Sequence, residues 1–191
     1  MGAIGDFFGD LKVLLAAATA KPPEPDEISS FGLLVEQNSG LYPNEIAIIC
    51  EGETITWKQL NERGNRIANL LYSNGIRHGD CVSLFMQNRI EFVVQLIGIT
   101  KIGAIGGLIN TNLTKQQLRH CITLTESKKC IFGEELTAQL NEIREELYLQ
   151  DGSDYMFVRD LGTKPAPNWA VEIDSNDTSL ASNNPTEDIA I

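Results

Sequence analysis

An α/β fold, with an open, mainly parallel sheet and helices on both faces, is what the sequence predicts. Three observations lead there. Between Ile46 and Val158, apolar runs of strand length alternate with longer segments of helical periodicity. Turn residues such as Asn74-Gly75 and Gly103 separate them. Hydrophobic residues make up 42% of the 191 positions, enough to cover both sides of a sheet.

The elements follow in order. Ile4, Phe7, Phe8, Leu11, Leu14, Leu15 and Ala18 recur at helical spacing before the stiff stretch Lys21-Pro22-Pro23-Glu24-Pro25. Residues 1–28 therefore read as an amphipathic helix and a Pro-rich linker. The helix docks either on its own protein or a partner copy, or on a membrane surface. Asp6 and Asp10 on its polar face have the wrong sign for anionic lipid. Phe31 to Asn38 has a short helical pattern. Ile46 to Cys50 and Glu53 to Thr56 form a hairpin across Glu51-Gly52. Thr56-Trp57-Lys58-Gln59 reads as a capping box that opens a helix ending at Asn74-Gly75.

Val82 to Met86 reads as a buried strand. Asn88 caps the next helix, Arg89 to Ile102, which is apolar almost all round. Ala104 to Ile109 is a Gly-rich strand, and Thr114-Lys115-Gln116-Gln117 a second capping box. Lys129 to Phe132 is a strand, Glu134 to Tyr148 a helix and Tyr155 to Val158 a strand. The α/β subdomain thus spans residues 29–173. Residues 174–191, rich in Ser, Asn, Asp and Thr, read as a surface loop or an untethered tail.

Charge and composition exclude several functions. The formal net charge of −11 disfavours a general nucleic-acid binder. A bilayer span needs about 20 apolar residues; Phe92 to Ile109 is interrupted by Gln95, Lys101 and glycines. Cys50, Cys81, Cys121 and Cys130 have neither disulfide-framework nor zinc spacing, so they read as free thiols in a reducing compartment. The N-terminus lacks the basic start of a secretory signal, which points to the cytoplasm, with peripheral membrane contact through the first helix as the sharper alternative.

Ligands of open α/β sheets bind beyond the carboxyl ends of the strands. That edge carries Gln87-Asn88-Arg89, Asn110-Thr111-Asn112 and Gly133-Glu134. Capping accounts for Asn88 and Thr114. Asn110 has no capping role and is the one candidate substrate-binding residue. Gly103-Ala104-Ile105-Gly106-Gly107 follows a helix and starts a strand, the reverse of a dinucleotide loop, so its glycines serve close helix packing. His78 and His120 lack a nucleophile or orienting acid at readable spacing. Glu134-Glu135 and Glu142, Glu145 and Glu146 read as the solvated side of an acidic helix. No catalytic set and no metal-ligating set emerges.

Several short motifs nevertheless have a combined resemblance. Thr54-Ile55-Thr56-Trp57-Lys58-Gln59-Leu60 resembles an early motif of the adenylate-forming acyl-CoA synthetases, with Gln59 where Glu is usual. Gly75-Ile76-Arg77-His78-Gly79-Asp80-Cys81-Val82 resembles that family's Gly-Asp-x-Val turn. Gln87-Asn88-Arg89-Ile90-Glu91-Phe92 resembles its Asn-x-x-Glu-Phe helix start, and Lys101-Ile102-Gly103-Ala104 its Lys-x-Gly-Ala motif. Asn110-Thr111-Asn112-Leu113 with Leu118-Arg119-His120-Cys121 is most similar to the fatty-acid transport protein, or very-long-chain acyl-CoA synthetase, branch. Their order and spacing carry the assignment more than any one of them.

The resemblance implies an ATP-dependent, AMP-forming ligase that activates a long-chain fatty acid as an acyl-adenylate and passes it to coenzyme A, with Mg2+ accompanying ATP. It places the family's phosphate loop just after Ile191, with Asn184 to Ile191 as the lead-in strand, and the adenylation lysine in a further domain. The chain is then expected to be an N-terminal subdomain, inactive alone. It is expected to expose an apolar face through which it meets its neighbour or forms a homodimer. The alternative is a freestanding, non-catalytic binding module on a synthetase-like scaffold.

Overall fold

The computed structural model describes residues 30–159 and 165–183. The first helix and Pro-rich linker, and the lead-in strand 184–191, lie outside the described residues. Helix α1 (Phe31–Leu41) opens at Ser30, whose hydroxyl accepts from the Leu33 amide at 3.1 Å. Strands β1 (Ile46–Cys50) and β2 (Glu53–Thr56) form the expected antiparallel hairpin. Its two-residue turn puts Glu51 and Gly52 both at positive φ, the geometry whose twist suits a hairpin. Helix α2 (Trp57–Ser73) opens on a complete capping box: Thr56 Oγ1 accepts from the Gln59 amide at 3.3 Å, and Gln59 Oε1 accepts from the Thr56 amide at 3.0 Å.

Strand β3 (Cys81–Phe85), helix α3 (Ile90–Lys101), strand β4 (Ile105–Leu108), helix α4 (Lys115–Leu124) and strand β5 (Lys129–Gly133) follow as alternating units. After short α5 (Thr137–Asn141) come β6 (Tyr155–Val158) and β7 (Val171–Ile173). The last five strands form one parallel sheet in the order β4-β3-β5-β6-β7.

Alternation along the strands divides the core. Val82, Leu84, Ile131, Met156 and Val158 face the α2–α3 side. Phe85, Cys130, Phe132, Tyr155 and Phe157 face the α4 side with Leu118 and Ile122. On the first side α2 and α3 interlock: Gly64 receives Ile97, and Gly98 receives Ile67. A methyl at Gly98 would lie 2.5 Å from Ile67 Cγ2 and 3.1 Å from the Ala68 amide nitrogen. On the second side Phe132 stacks on Trp169 at 5.2 Å, and Tyr155 meets Trp169 edge-on at 5.3 Å. All four cysteines are free, and burial pushes the Cys130 thiol up to about 12.

The structure departs from the sequence expectations at several elements. Glu134 to Tyr148 is not one helix but two 3-10 turns, Glu134–Leu136 and Arg144–Glu146, flanking α5. Leu136, Leu140, Ile143 and Leu147 are buried as their spacing implied. The backbone departs from a straight rod where carbonyls accept from amides three residues on: the Leu147 amide donates to the Arg144 carbonyl and the Ile143 amide to the Leu140 carbonyl, both at 3.1 Å, while the Tyr155 hydroxyl also donates to the Arg144 carbonyl at 3.1 Å and the Thr137 hydroxyl to the Glu134 carbonyl at 2.8 Å. Strand β7 is unexpected; three residues with Glu172 in the middle carry no periodic signal. Thr114 is the α4 N-cap but forms no box, because Lys115 sits at φ 50° and the Gln117 amide donates to the Thr114 carbonyl instead. Of the two readings of residues 174–191, the described part, 174–183, follows the surface loop and not the untethered tail: Ser175 is buried, and Asn65 and Asn69 of α2 donate to the carbonyls of Ser182 and Ala181, both at 2.9 Å.

Candidate functional site

The carboxyl ends of the strands are where the sheet order matters. After β3 the chain crosses through α3 to β4, then returns through α4 to β5 on the opposite side of β3. The helices lie on opposite faces, α3 in the aliphatic core and α4 in the aromatic one. The β3–β5 pair is therefore a topological switch point, where a crevice opens between loops that diverge.

Glu135 lies in this crevice. Its Oε1 accepts from the Gln87 amide at 2.9 Å and stands 2.9 Å from Arg89 Nη1. The other oxygen, Oε2, is shut from solvent and has no hydrogen-bond partner. The carboxylate folds back over Gly133, where any side chain would overlap it. Glu135 is thus no solvated helix residue, and this corrects the sequence expectation. Asn88 also loses its assigned role: the N-cap of α3 is Arg89, in extended geometry and without a side-chain cap bond, so Asn88 falls one position too early.

Beside the crevice runs a groove of about 550 Å³ lined by Met86, Phe92, Leu108, Ile109, Asn110 and Thr111, among others. Asn110 is on this wall and exposed. Its Oδ1 accepts from the Asn112 amide at 2.9 Å, an Asx turn that gives it a local structural role which the capping pattern does not reveal.

A second cleft, of about 470 Å³, opens beyond β6 and β7. Arg63 of α2 pairs with Glu91 at the start of α3, and its Nε donates to Ser175 Oγ at 2.9 Å. The Ser175 hydroxyl also lies 3.0 Å from Glu91 Oε2, and Arg66 donates to the Ser175 carbonyl at 3.1 Å. Burial lowers the Arg63 guanidinium from its ordinary value, while Asp174 and Glu53 work the other way. Arg159 is bidentate to Glu172, with both bonds at 2.8 Å. Sequence reasoning missed these contacts because bonded partners are 13 to 112 positions apart.

The arrangement does not suit a nucleotide triphosphate. Arg63, Arg89 and Arg159 are matched to Glu91, Glu135 and Glu172, and the cleft lining carries four carboxylates against three guanidiniums. Among the described residues no three His, Cys, Asp or Glu side chains cluster to hold a metal. No helix of the described residues is long and apolar enough to cross a membrane.

The profile of the family described as AMP-binding enzyme matches residues 35–191. The chain belongs to that family. Long-chain fatty acid transport protein 1 of Rattus norvegicus is 34% identical over 107 residues, covering 55% of this chain and 17% of that protein. The medium/long-chain-fatty-acid–CoA/3-oxocholest-4-en-26-oate–CoA ligase of Mycobacterium marinum is 30% identical over 128 residues, covering 63% and 23%. The N-terminal domain of FACL13 from Mycobacterium tuberculosis superimposes with a TM-score of 0.64 at 25% identity, covering 83% of this chain and 37% of that one. The anthranilate CoA ligase AuaEII, solved with anthranoyl-AMP, gives a TM-score of 0.65 at 25% identity over 73% of this chain and 26% of its own. The chain spans less than a quarter of the length of these two curated relatives. As an AMP-binding enzyme domain, it has the mainly parallel sheet and flanking helices of the acyl-CoA ligase N-terminal domain.

Proposed function

We propose that these residues form the first subdomain of an ATP-dependent, AMP-forming fatty acyl-CoA ligase acting on long-chain fatty acids in the cytoplasm, with peripheral membrane contact through the segment before residue 29. The observation that carries this reading is the family match over residues 35–191, joined to relatives whose names are those of fatty acid transport proteins and fatty-acid–CoA ligases. In this reading ATP, Mg2+ and coenzyme A belong to the whole ligase, and the fatty acid is its substrate. The subdomain's own residues do scaffold work. Arg63, Arg66, Asn65 and Asn69 hold residues 175–183 against α2. Asn110 stays a candidate substrate contact because it lines the groove at the carboxyl edge. Ile105 and Leu108, exposed on opposite faces of the edge strand β4, mark the surface we assign to the rest of the ligase or to a second copy of the chain.

The 191-residue chain is proposed to be inactive alone, because adenylyl transfer needs positioned donors and a metal against the phosphates and its carboxyl-edge arginines are already neutralised. ATP–pyrophosphate exchange with a long-chain fatty acid and Mg2+ is the test. The expected result is no exchange by the chain alone and exchange by a polypeptide extended through a phosphate loop. Exchange by the isolated chain overturns the inactivity, and its failure in the extended protein overturns the ligase reading.

A further inference from the structure

We propose that Glu135 is a built-in occupant of the β3–β5 crevice: its carboxylate takes the position of an oxyanion ligand and keeps the crevice closed to small phosphates and carboxylates. The inference is independent of the ligase reading and concerns binding alone.

Four observations carry it. The sheet order makes β3–β5 the place where an open α/β sheet offers a ligand crevice. Two donors from the loop after β3, the Gln87 amide and Arg89 Nη1, converge on one oxygen of Glu135, each at 2.9 Å. A backbone amide and a guanidinium meeting at one oxygen form the donor set of an oxyanion site, and charge-assisted bonds of this kind are the strong ones. The reach depends on Gly133, whose absent side chain leaves the space that the carboxylate fills. Finally, Oε2 is closed off from solvent with no hydrogen-bond partner. An ionised oxygen so placed costs free energy. A carboxylate that served only to tie two loops together would be expected to keep that oxygen in water.

Helix capping does not explain the contact. The Gln87 amide precedes α3, and the N-cap residue Arg89 makes no side-chain cap bond. Solvation of an acidic helix does not explain it either, because the Glu135 side chain is only 17% exposed. In the wild-type chain a free oxyanion must both displace this carboxylate and overcome its repulsion.

The test is titration of the chain with inorganic phosphate and, separately, with acetate, following the Gln87 amide by NMR and the heat by calorimetry. In Glu135→Ala the Gln87 amide is expected to shift saturably, with affinity at least about tenfold above wild type, the worth of one charge-assisted bond. The Arg89→Ala/Glu135→Ala double variant is expected to lose that gain. Glu135→Gln, which still fills the space, is expected to behave as wild type. Gly133→Ala supplies a second route should Glu135→Ala fail to fold. Its φ of −81° suits alanine, and the added methyl displaces the carboxylate without deleting it, so the same saturable shift is expected. Phosphate stronger than acetate identifies a phosphate-like ligand, and the reverse a carboxylate, each in accord with the proposal. Wild type shifting at the same concentrations as Glu135→Ala overturns it, as does the absence of a saturable shift in whichever of Glu135→Ala and Gly133→Ala is folded by circular dichroism.

Discussion

On one side of the sheet α2 and α3 meet through glycine notches that admit Ile67 and Ile97; on the other, Phe132, Tyr155, Phe157 and Trp169 fill the space under short turns. The first side is held by backbone proximity and aliphatic contact. Both sides also carry polar bonds: on the first, Arg63 pairs with Glu91 between α2 and α3 and Lys101 with Glu36; on the second, the Gly152 amide donates to the Trp169 carbonyl at 2.8 Å, the Tyr155 hydroxyl to the Arg144 carbonyl, and the Lys129 ammonium to Asp154 Oδ1 at 3.0 Å. At Gly64 and Gly98 the first side has no room for an added methyl, whereas the second depends on large rings and on charges around them. The two should fail in different ways.

The largest effect is expected on the aromatic side. Trp169→Ala removes a ring that touches both Phe132 and Tyr155 and should cost about 3–5 kcal/mol in urea unfolding. A loss below about 1 kcal/mol would mean that the ring is not part of the cooperative core.

The glycine side gives a smaller effect from a single methyl. Gly98→Ala should destabilise by about 1–3 kcal/mol, despite the gain of about 1 kcal/mol in helix propensity, because the methyl meets Ile67 and the Ala68 backbone. Gly40, also helical, has nothing within 4 Å of an added Cβ. Gly40→Ala should therefore stabilise by about 0.5–1 kcal/mol. Opposite signs would show that the notch at Gly98, and not helical glycine as such, excludes the methyl on this side; equal signs would break that reading.

The smallest effect separates the sides by pH. Burial pushes the Asp154 carboxyl up, but the Gln150 amide, Lys129 and Ser153 outweigh it and hold the group below the ordinary carboxylate range. Its contribution is therefore present in full above the unfolded value of about 3.9 and is lost as pH falls through the lower folded value. The chain has one tryptophan per side, Trp57 and Trp169. In single-tryptophan proteins Trp169 fluorescence should respond to acid before Trp57 fluorescence, and Asp154→Asn should remove the lag. Coincident transitions in the wild-type background would show one unit, not two.

This asymmetry also explains what could be read from sequence. The aliphatic side consists of long helices whose apolar residues repeat every three or four positions, and Thr56 and Gln59 announce the start of α2 from three residues apart. The aromatic side uses 3-10 turns too short for a period and a three-residue strand with Glu172 at its centre. Its buried leucines were legible at Leu136 and Leu140; its backbone was not, because the turn at Arg144 is three residues long and is braced by Tyr155, eleven positions away, which shares the Arg144 carbonyl with the Leu147 amide. The site was less legible still. Glu135 lies 48 positions from Gln87, and its place in the crevice depends on the crossing order of two helices. No local spacing encodes that order.

Strand β4 has a consequence of its own. It ends the sheet, pairing with β3 on one side and with no described strand on the other. Ile105 and Leu108 are each 56% exposed, and between them Gly106 and Gly107 offer no side chain to screen the main chain. A rim of this composition is adhesive, a ready template for any extended peptide that drifts alongside. Covered by further polypeptide it would be an ordinary seam; bare, it is the place where copies of the chain are expected to pair edge to edge.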